Sequence, residues 1–412
     1  MLQLPPPQPL AYHRSVLAHV RGTDPQAWQA LVPDATTGDP GVSAALLRDT
    51  YRLDPSGHPA AHEAAGRAAR ALGLTVPVEL YQGQGAATPN ATLLHQPDRA
   101  VIVFAGPLLD LLDAGELTAV CGHELAHRLL WTAEGGAYLG VDRLLDAAAG
   151  DGRTPHLYLE TARRWALACE LYADRGALVA CGDLRTAVRA LLKVSTGLST
   201  VDPDGYLRQA GELDLSTGSR ATSHPEGVLR AWALRAWLDR TEVEPVLTGP
   251  LDVDSPDLLD ARTLRMLAGQ LAAHAVAEPA IRTESVLAHA AGFFDPPPRS
   301  GVPAPSGSFP RVDRPWRPRP VDGAPVPAAR ELAASTRSFL CYLLLDLATI
   351  DPDTGDDGMV AMMALARRAG MGSTYDDLAD DELGWSDSRR AELVAAADAA
   401  TGGAPSRPEE AR

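Results

Sequence analysis

The 412-residue chain is poor in several things that would otherwise narrow its class. Cysteine is scarce: Cys121, Cys169, Cys181 and Cys341 are scattered and form no C-x-x-C pair. That excludes a disulfide framework and a cysteine-built zinc knuckle, and predicts small core residues in a reducing compartment. Aromatic residues make up only 5%, and this Ala-rich, aromatic-poor composition favours helices over sheets. Basic residues are outnumbered, 37 Lys and Arg against 53 Asp and Glu, with no basic cluster interleaved with aromatics. A nucleic-acid partner is thereby excluded, because phosphate binding needs a positive surface. Long hydrophobic runs are missing too: Phe339 to Leu345 ends at Asp346, far short of the ~20 residues a membrane span requires. The first residues carry no basic lead and no apolar stretch of signal length. The expectation is a cytoplasmic protein without a membrane span.

What the chain does have is the stretch from Asp113 to Trp131, DAGELTAVCGHELAHRLLW. Asp113 can cap the first turn of a helix while Glu116 reaches back, and the apolar residues that follow recur at helical spacing. On such a helix His123 and His127 stand one turn apart on one side, so two imidazoles can grip one metal ion. Glu124, beside them, is a candidate base that takes the proton of an attacking water. The plainer alternative is a core helix whose histidines merely find hydrogen-bond partners.

A catalytic zinc needs three protein ligands and an open position, so a third donor must come from elsewhere. The metzincin pattern fails, since it needs Gly at 130 and His at 133, where the chain has Leu130 and Ala133. The next strong helical stretch runs from about Leu157 to Cys181 and stops at Gly182, a helix terminator. Within it, Glu170 and Asp174 are four apart and share a face, so Glu170 can bind zinc while Asp174 hydrogen-bonds the far nitrogen of a ligand histidine. The apolar neighbours Trp165, Leu167, Ala168, Leu171 and Ala173 predict that at least one of these acids points inward. Further on, His224 is followed by Pro225 at the mouth of another helix, placed to donate to an oxyanion, and Arg230 can brace a nearby acid.

HELAH, then Glu170-x-x-Ala-Asp174, then His224-Pro225 with Arg230 six after the histidine, resembles the HtpX-type and CAAX-prenyl-protease-type zinc metallopeptidases of the gluzincin clan. The approach is similar as well: Pro89-Asn90-Ala91, the strand-like Val101 to Phe104, and Gly106 to Leu112 before the helix. The likeness covers roughly Val76 to Leu238. It implies an α+β zincin-like core, Zn2+ held by His123, His127 and Glu170, Glu124 as base, His224 steadying the tetrahedral intermediate, and a peptide or protein substrate. Two departures stand out: Arg128 follows the second histidine, and the membrane-spanning helices of familiar members are missing.

The expected fold is mainly α with a small β-sheet and a separate small helical C-terminal module. Residues 1–292 are expected to form the peptidase domain, with helices at 12–31 and 42–72 as a collar and strands near 76–81, 90–94 and 100–104. His58, His62 and Glu63 in the collar imitate a metal site, but position 66 is Gly66, so they are expected to be surface or capping residues. The proline-dense 293–327 predicts an extended connector, 328–400 a helical module loosely similar to TerB-type domains and able to dock a partner, and 401–412 a disordered tail. The acidic turn Asp351 to Gly358 fails as a calcium loop, because its sixth position is Asp356 and its twelfth Met362. A reading of a different class remains: a non-catalytic zinc scaffold recruiting partners through that module.

Overall fold

A computed structural model describes residues 4–23, 25–26, 28–29, 40–150, 152–214, 218–241, 243, 248–294 and 332–401. The chain divides into two compact units, Met1–Gly249 and Pro250–Arg412. No described helix is long and apolar enough to cross a membrane.

The first unit is mainly helical around one small sheet. It runs α1 (Ala11–Thr23), α2 (Pro40–Asp49), β1 (Thr50–Arg52), α3 (Pro59–Ala71), β2 (Val78–Gly83), β3 (Asn90–His95), β4 (Ala100–Ala105) and the short α4 (Leu108–Leu111). Then come α5 (Ala114–Thr132), α6 (Ala137–Gly150), α7 (His156–Cys181), α8 (Leu184–Thr196), α9 (Pro203–Gly211) and α10 (Gly227–Leu238). The sheet order is β1-β2-β4-β3, with β2 and β4 parallel and the outer pairs antiparallel. Ile102 sits opposite Leu80 on one neighbour and Leu93 on the other, and Val101, Ile102 and Phe104 are buried. β1 and β3 are the edges.

The predicted helix over 42–72 is broken. Thr50 and Tyr51, residues that favour extended backbone, pair with Gly83 and Gln82 of β2. The Asp54 carboxylate then turns the chain by accepting from the Ser56 amide and hydroxyl, and Pro59 starts α3 with its ring-fixed φ. His58 is the N-cap residue of α3, His62 bonds the Leu53 carbonyl at 2.8 Å, and Glu63 pairs with Arg67, so none of the three belongs to a metal site. Part of the predicted 12–31 helix lies outside the described residues.

Both central helices have legible ends. Asp113 Oδ1 accepts from the Gly115 and Glu116 amides while Glu116 Oε2 accepts from the Asp113 amide, a complete capping box for α5. α7 stops at Gly182, whose φ of 67° suits a residue without Cβ. These helices cross on small residues. A Cβ on Gly122 would collide with Ala180 Cβ and come within 2.8 Å of the Gly176 carbonyl oxygen; one on Gly176 would collide with Ala126 Cβ and come within 2.9 Å of the Gly122 carbonyl oxygen. So close an approach lets side chains of α7 reach those of α5.

The second unit comprises α11 (Leu258–Ala277), α12 (Glu284–Ala290), α13 (Ala334–Thr349), α14 (Gly355–Arg368), α15 (Gly372–Leu383) and α16 (Asp387–Ala400). The division into compact units falls at 249/250, ahead of the expected domain end at 292. Leu267, Leu271 and Ala275 of α11 share one core with Leu340 and Leu344 of α13 and Met362 of α14, because the apolar stripe of α11 is buried there. Leu251 also bridges Leu332, and the Ala333 amide donates to the Leu251 carbonyl. The connector from 295 onward, the start of the module through 331 and the tail from 402 lie outside the described residues. The acidic stretch at 351–358 is a turn in which α14 already begins, with Asp356 and Asp357 in its first turn, where the helix dipole favours them.

Candidate active site

Packing of α7 across α5 at the glycine crossing brings the predicted donors together. His123 Nε2 lies 3.5 Å from Glu170 Oε2, and His127 Nε2 lies 3.5 Å from Glu170 Oε1. One ligand atom from each of these residues falls within 4.8 Å of the other two. Among the described residues this is the one such grouping of His, Cys, Asp and Glu. Glu170 Oε2 is buried and accepts no hydrogen bond, its charged neighbours being Arg230 Nη1 at 3.4 Å and His123 Nε2 at 3.5 Å, so it has room for a further, closer partner. Two neutral imidazoles and a carboxylate suit a zinc-like dication. The residues present therefore fit a metal ion.

Asp174, one turn after Glu170, accepts from two directions. Its Oδ1 lies 3.1 Å from His123 Nδ1, which leaves Nε2 facing the metal donors. Arg230 of α10 grips the same carboxylate with Nε at 2.8 Å and Nη2 at 2.6 Å, and its Nη1 lies 3.4 Å from Glu170. Burial alone would raise the pKa of Asp174, but Arg230 and then His123 outweigh it and hold it below the ordinary value. Glu170 is likewise held well down by His123 and His127 against its burial. His123 is pulled down by burial yet lifted to about 10 by Asp174 and Glu170. A metal ion at Nε2 would compete with that proton.

Glu124 follows His123 on α5, is 7% exposed, and lies close enough to Arg230 to help keep that guanidinium charged. His224 stands in the loop before α10, largely exposed, with Nε2 3.7 Å from Glu170 Oε1. Its Nδ1 is 3.0 Å from Ser223 Oγ. If Ser223 donates there, the ring proton is on Nε2, facing the donors. All seven predicted site residues thus converge in the first unit.

Three features escaped the sequence. Arg128 does not obstruct the donors: it is buried, and its guanidinium donates to the carbonyls of Gln96 at 2.5 Å, Arg99 at 2.9 Å and Pro97 at 3.0 Å, pinning the β3–β4 turn to α5. The glycine crossing was written as Gly122-x3-Ala126 and Gly176-x3-Ala180, a repeated small-residue spacing that could have been noticed. The third is His13, fully buried against Trp165 of α7, with its Nε2 3.6 Å from Cys169 Sγ and its Nδ1 accepting from the Leu10 amide. The four cysteines are free, and Cys121, Cys169 and Cys341 are buried, as expected of core residues.

The chain is similar to the plastoglobule-localized metallopeptidase 48 of the chloroplast from Arabidopsis thaliana, 30% identical over 201 residues that cover 44% of this chain. It spans 57% of the length of that relative. No protein-family model matches the chain, and no solved structure matches it. A metal-dependent peptidase is the class this similarity supports.

Proposed function

We propose that the chain is a zinc-dependent metalloendopeptidase in which His123, His127 and Glu170 hold the metal, Glu124 is the base, and His224 stabilises the oxyanion. The observation that carries the reading is the convergence of two imidazoles and one carboxylate within 4.8 Å, with one buried oxygen of that carboxylate accepting no hydrogen bond. A zinc ion bound there would polarise a substrate carbonyl and make water acidic near neutral pH. Glu124 takes the proton of the attacking water and delivers it to the leaving amine. His224 Nε2 donates to the oxygen that becomes negative as the carbonyl carbon turns tetrahedral. Asp174 fixes the ring of His123 through Nδ1, and Arg230 fixes Asp174. The free edge of β3, on the sheet that packs against α5, offers main-chain donors and acceptors to an extended peptide. Unpaired thiols accord with a reducing, cytoplasmic location for this work.

The test is Glu124→Gln. The variant is expected to bind zinc at one equivalent like the wild type while peptide cleavage falls on the order of 100- to 10,000-fold. A non-catalytic scaffold would cleave nothing in either form, and a variant that kept full cleavage would remove Glu124 from the mechanism.

A further inference from the structure

The loop that carries His224 is held by side chains that the reaction does not use. Arg163 lies on α7 two turns before Glu170. Its Nη1 donates to the carbonyls of Ser219 at 3.1 Å and Ala221 at 2.8 Å. Its other two nitrogens are occupied by one acid: Nε and Nη2 each bond Glu160 at 2.7 Å. Glu160, buried, is also bonded by Arg164 Nε at 2.6 Å, so the guanidinium of Arg163 is aimed by a carboxylate that cannot easily move. From the other end of the loop, Glu226 reaches back. Its Oε2 accepts from Ser219 Oγ at 2.7 Å and its Oε1 from the Arg220 amide at 3.0 Å. Beyond Glu226, α10 is tied to α7 through Arg230 and Asp174.

The turn from 218 to 226 is therefore clamped at both ends to a single helix, by Arg163 on one side and Asp174 on the other, and Glu170 lies between those anchors on the same face of α7. His224 itself is exposed, and the contact recorded for its Nδ1 is with the neighbouring Ser223. An exposed histidine with so little of its own to hold it depends on its backbone for position. We propose that Arg163, oriented by Glu160 and assisted by Glu226, is a positioning residue that fixes the 218–226 turn so that His224 stands over Glu170. It acts on turnover, not on metal holding. This rests on the peptidase reading only for its kinetic consequence; the clamp itself is a statement about the loop.

Two measurements on the full-length, zinc-loaded protein separate these. The first is hydrogen exchange of the peptide covering 218–226 in the wild type, Arg163→Ala, Arg163→Lys, Glu226→Ala and Glu124→Gln. Exchange is expected to rise in Arg163→Ala and Glu226→Ala, to rise less in Arg163→Lys, which retains one cationic donor, and to stay at the wild-type level in Glu124→Gln. Unchanged exchange in Arg163→Ala would overturn the clamp whether or not the protein cleaves peptides. The second is steady-state cleavage of a peptide substrate with zinc content and melting temperature measured alongside. Arg163→Ala is expected to lose roughly 100-fold in kcat, as a misplaced group does, with KM and zinc stoichiometry near wild type and partial recovery in Arg163→Lys. Combined with His224→Ala it is expected to cost no more than His224→Ala alone, since both remove the same contribution. Additive losses, or a kcat loss matched by lost zinc, would overturn the proposal. Loosened exchange in Arg163→Ala beside a wild type that cleaves nothing would instead sink the peptidase reading and leave the clamp standing.

Discussion

In the N-terminal unit Glu116, Glu124, Arg128, Glu160, Arg164, Glu170 and Asp174 are all buried, whereas the buried polar side chains described in the C-terminal unit are Asp257, Thr336 and Thr354. Asp257 caps α11, Thr354 Oγ1 donates to the carbonyls of Ala348 and Asp351, and Thr336 Oγ1 donates to the Leu251 carbonyl, so all three satisfy backbone groups. The C-terminal core is otherwise apolar, mostly leucine, methionine and alanine, with ion pairs such as Arg389–Asp356 left outside. The same chain can therefore build a core in which Asp257 is the one fully buried charged residue among those described. Taking a charge out of water costs several kcal/mol unless partners replace the lost hydration. Buried charge in the first unit marks places where geometry is needed that apolar packing does not supply. Glu116 and Arg128 secure the ends of α5 and the β3–β4 turn, Glu160 aims Arg163, and Glu124, Glu170 and Asp174 gather at the metal donors.

The sharpest way to break this contrast is to remove the carboxylate that His123, His127, His224 and Arg230 all face. Glu170→Ala is expected to abolish stoichiometric zinc binding, a larger loss than the roughly 10- to 100-fold weakening expected of Asp174→Asn. Equal zinc affinity in both variants and the wild type, measured by competition with a chromogenic chelator, would make these acids structural only. The next effect falls on the helix crossing. Alanine is a better helix former than glycine by about 1 kcal/mol, so propensity alone says Gly176→Ala should stabilise α7. The expected outcome is the opposite, a loss of about 1 to 3 kcal/mol in chemical denaturation, because the new methyl meets Ala126 and the Gly122 carbonyl. Zinc affinity should fall with it, since the crossing is what brings Glu170 to the imidazoles.

Those two predictions also mark what was legible beforehand. That His123, His127, Glu170 and Asp174 come together was legible because ligand chemistry restricts residue type and a helix restricts spacing. The ends of α5 and α7 could be found because Asp113 and Gly182 cap them through contacts a few residues long. The grip of Arg163 on carbonyls at 219 and 221, the docking of Arg128 on the β3–β4 turn and the pairing of Thr50 with Gly83 join positions far apart in the chain. No local pattern announces them. The packing of α11 was not legible for the same reason: it has an apolar stripe whichever unit it serves, and only its partners Leu340, Leu344 and Met362 decide.

A smaller effect belongs to His13. Burial first, and then Arg175, Arg14 and His127, pull its pKa from 6.5 to about 3. The unfolded chain takes up this proton near pH 6.5 and the folded chain does so only near pH 3. Stability from the neutral ring is thus full above about pH 6.5 and is lost as pH falls toward 3, by up to about 1.4 kcal/mol per pH unit. Asp142 works in the other direction, since burial raises its pKa to about 6 and its protonation favours the folded state below that. Denaturation of the wild type and His13→Gln at pH 7.5 and 5 isolates the histidine. The variant should lose less stability on acidification, and parallel losses would remove His13 from the account.

The smallest expected effect is in the C-terminal unit, and it tests the other half of the contrast. Arg389 near the start of α16 pairs with Asp356 in the first turn of α14, with 40% and 60% of their side chains exposed. Water screens such a pair and both long side chains lose freedom to form it, so its net worth is about 0 to 1 kcal/mol. Asp356 keeps its favourable place at the start of α14 when Arg389 is gone. Arg389→Ala should therefore move the denaturation midpoint only slightly, and less at high salt than at low salt. It should leave zinc content and peptide turnover at wild-type values, because the proposed donors, the proposed base and the His224 loop all belong to the first unit. A loss above 2 kcal/mol, or a change in turnover without a change in fold, would mean that surface charge in the second unit matters in a way its apolar core does not suggest.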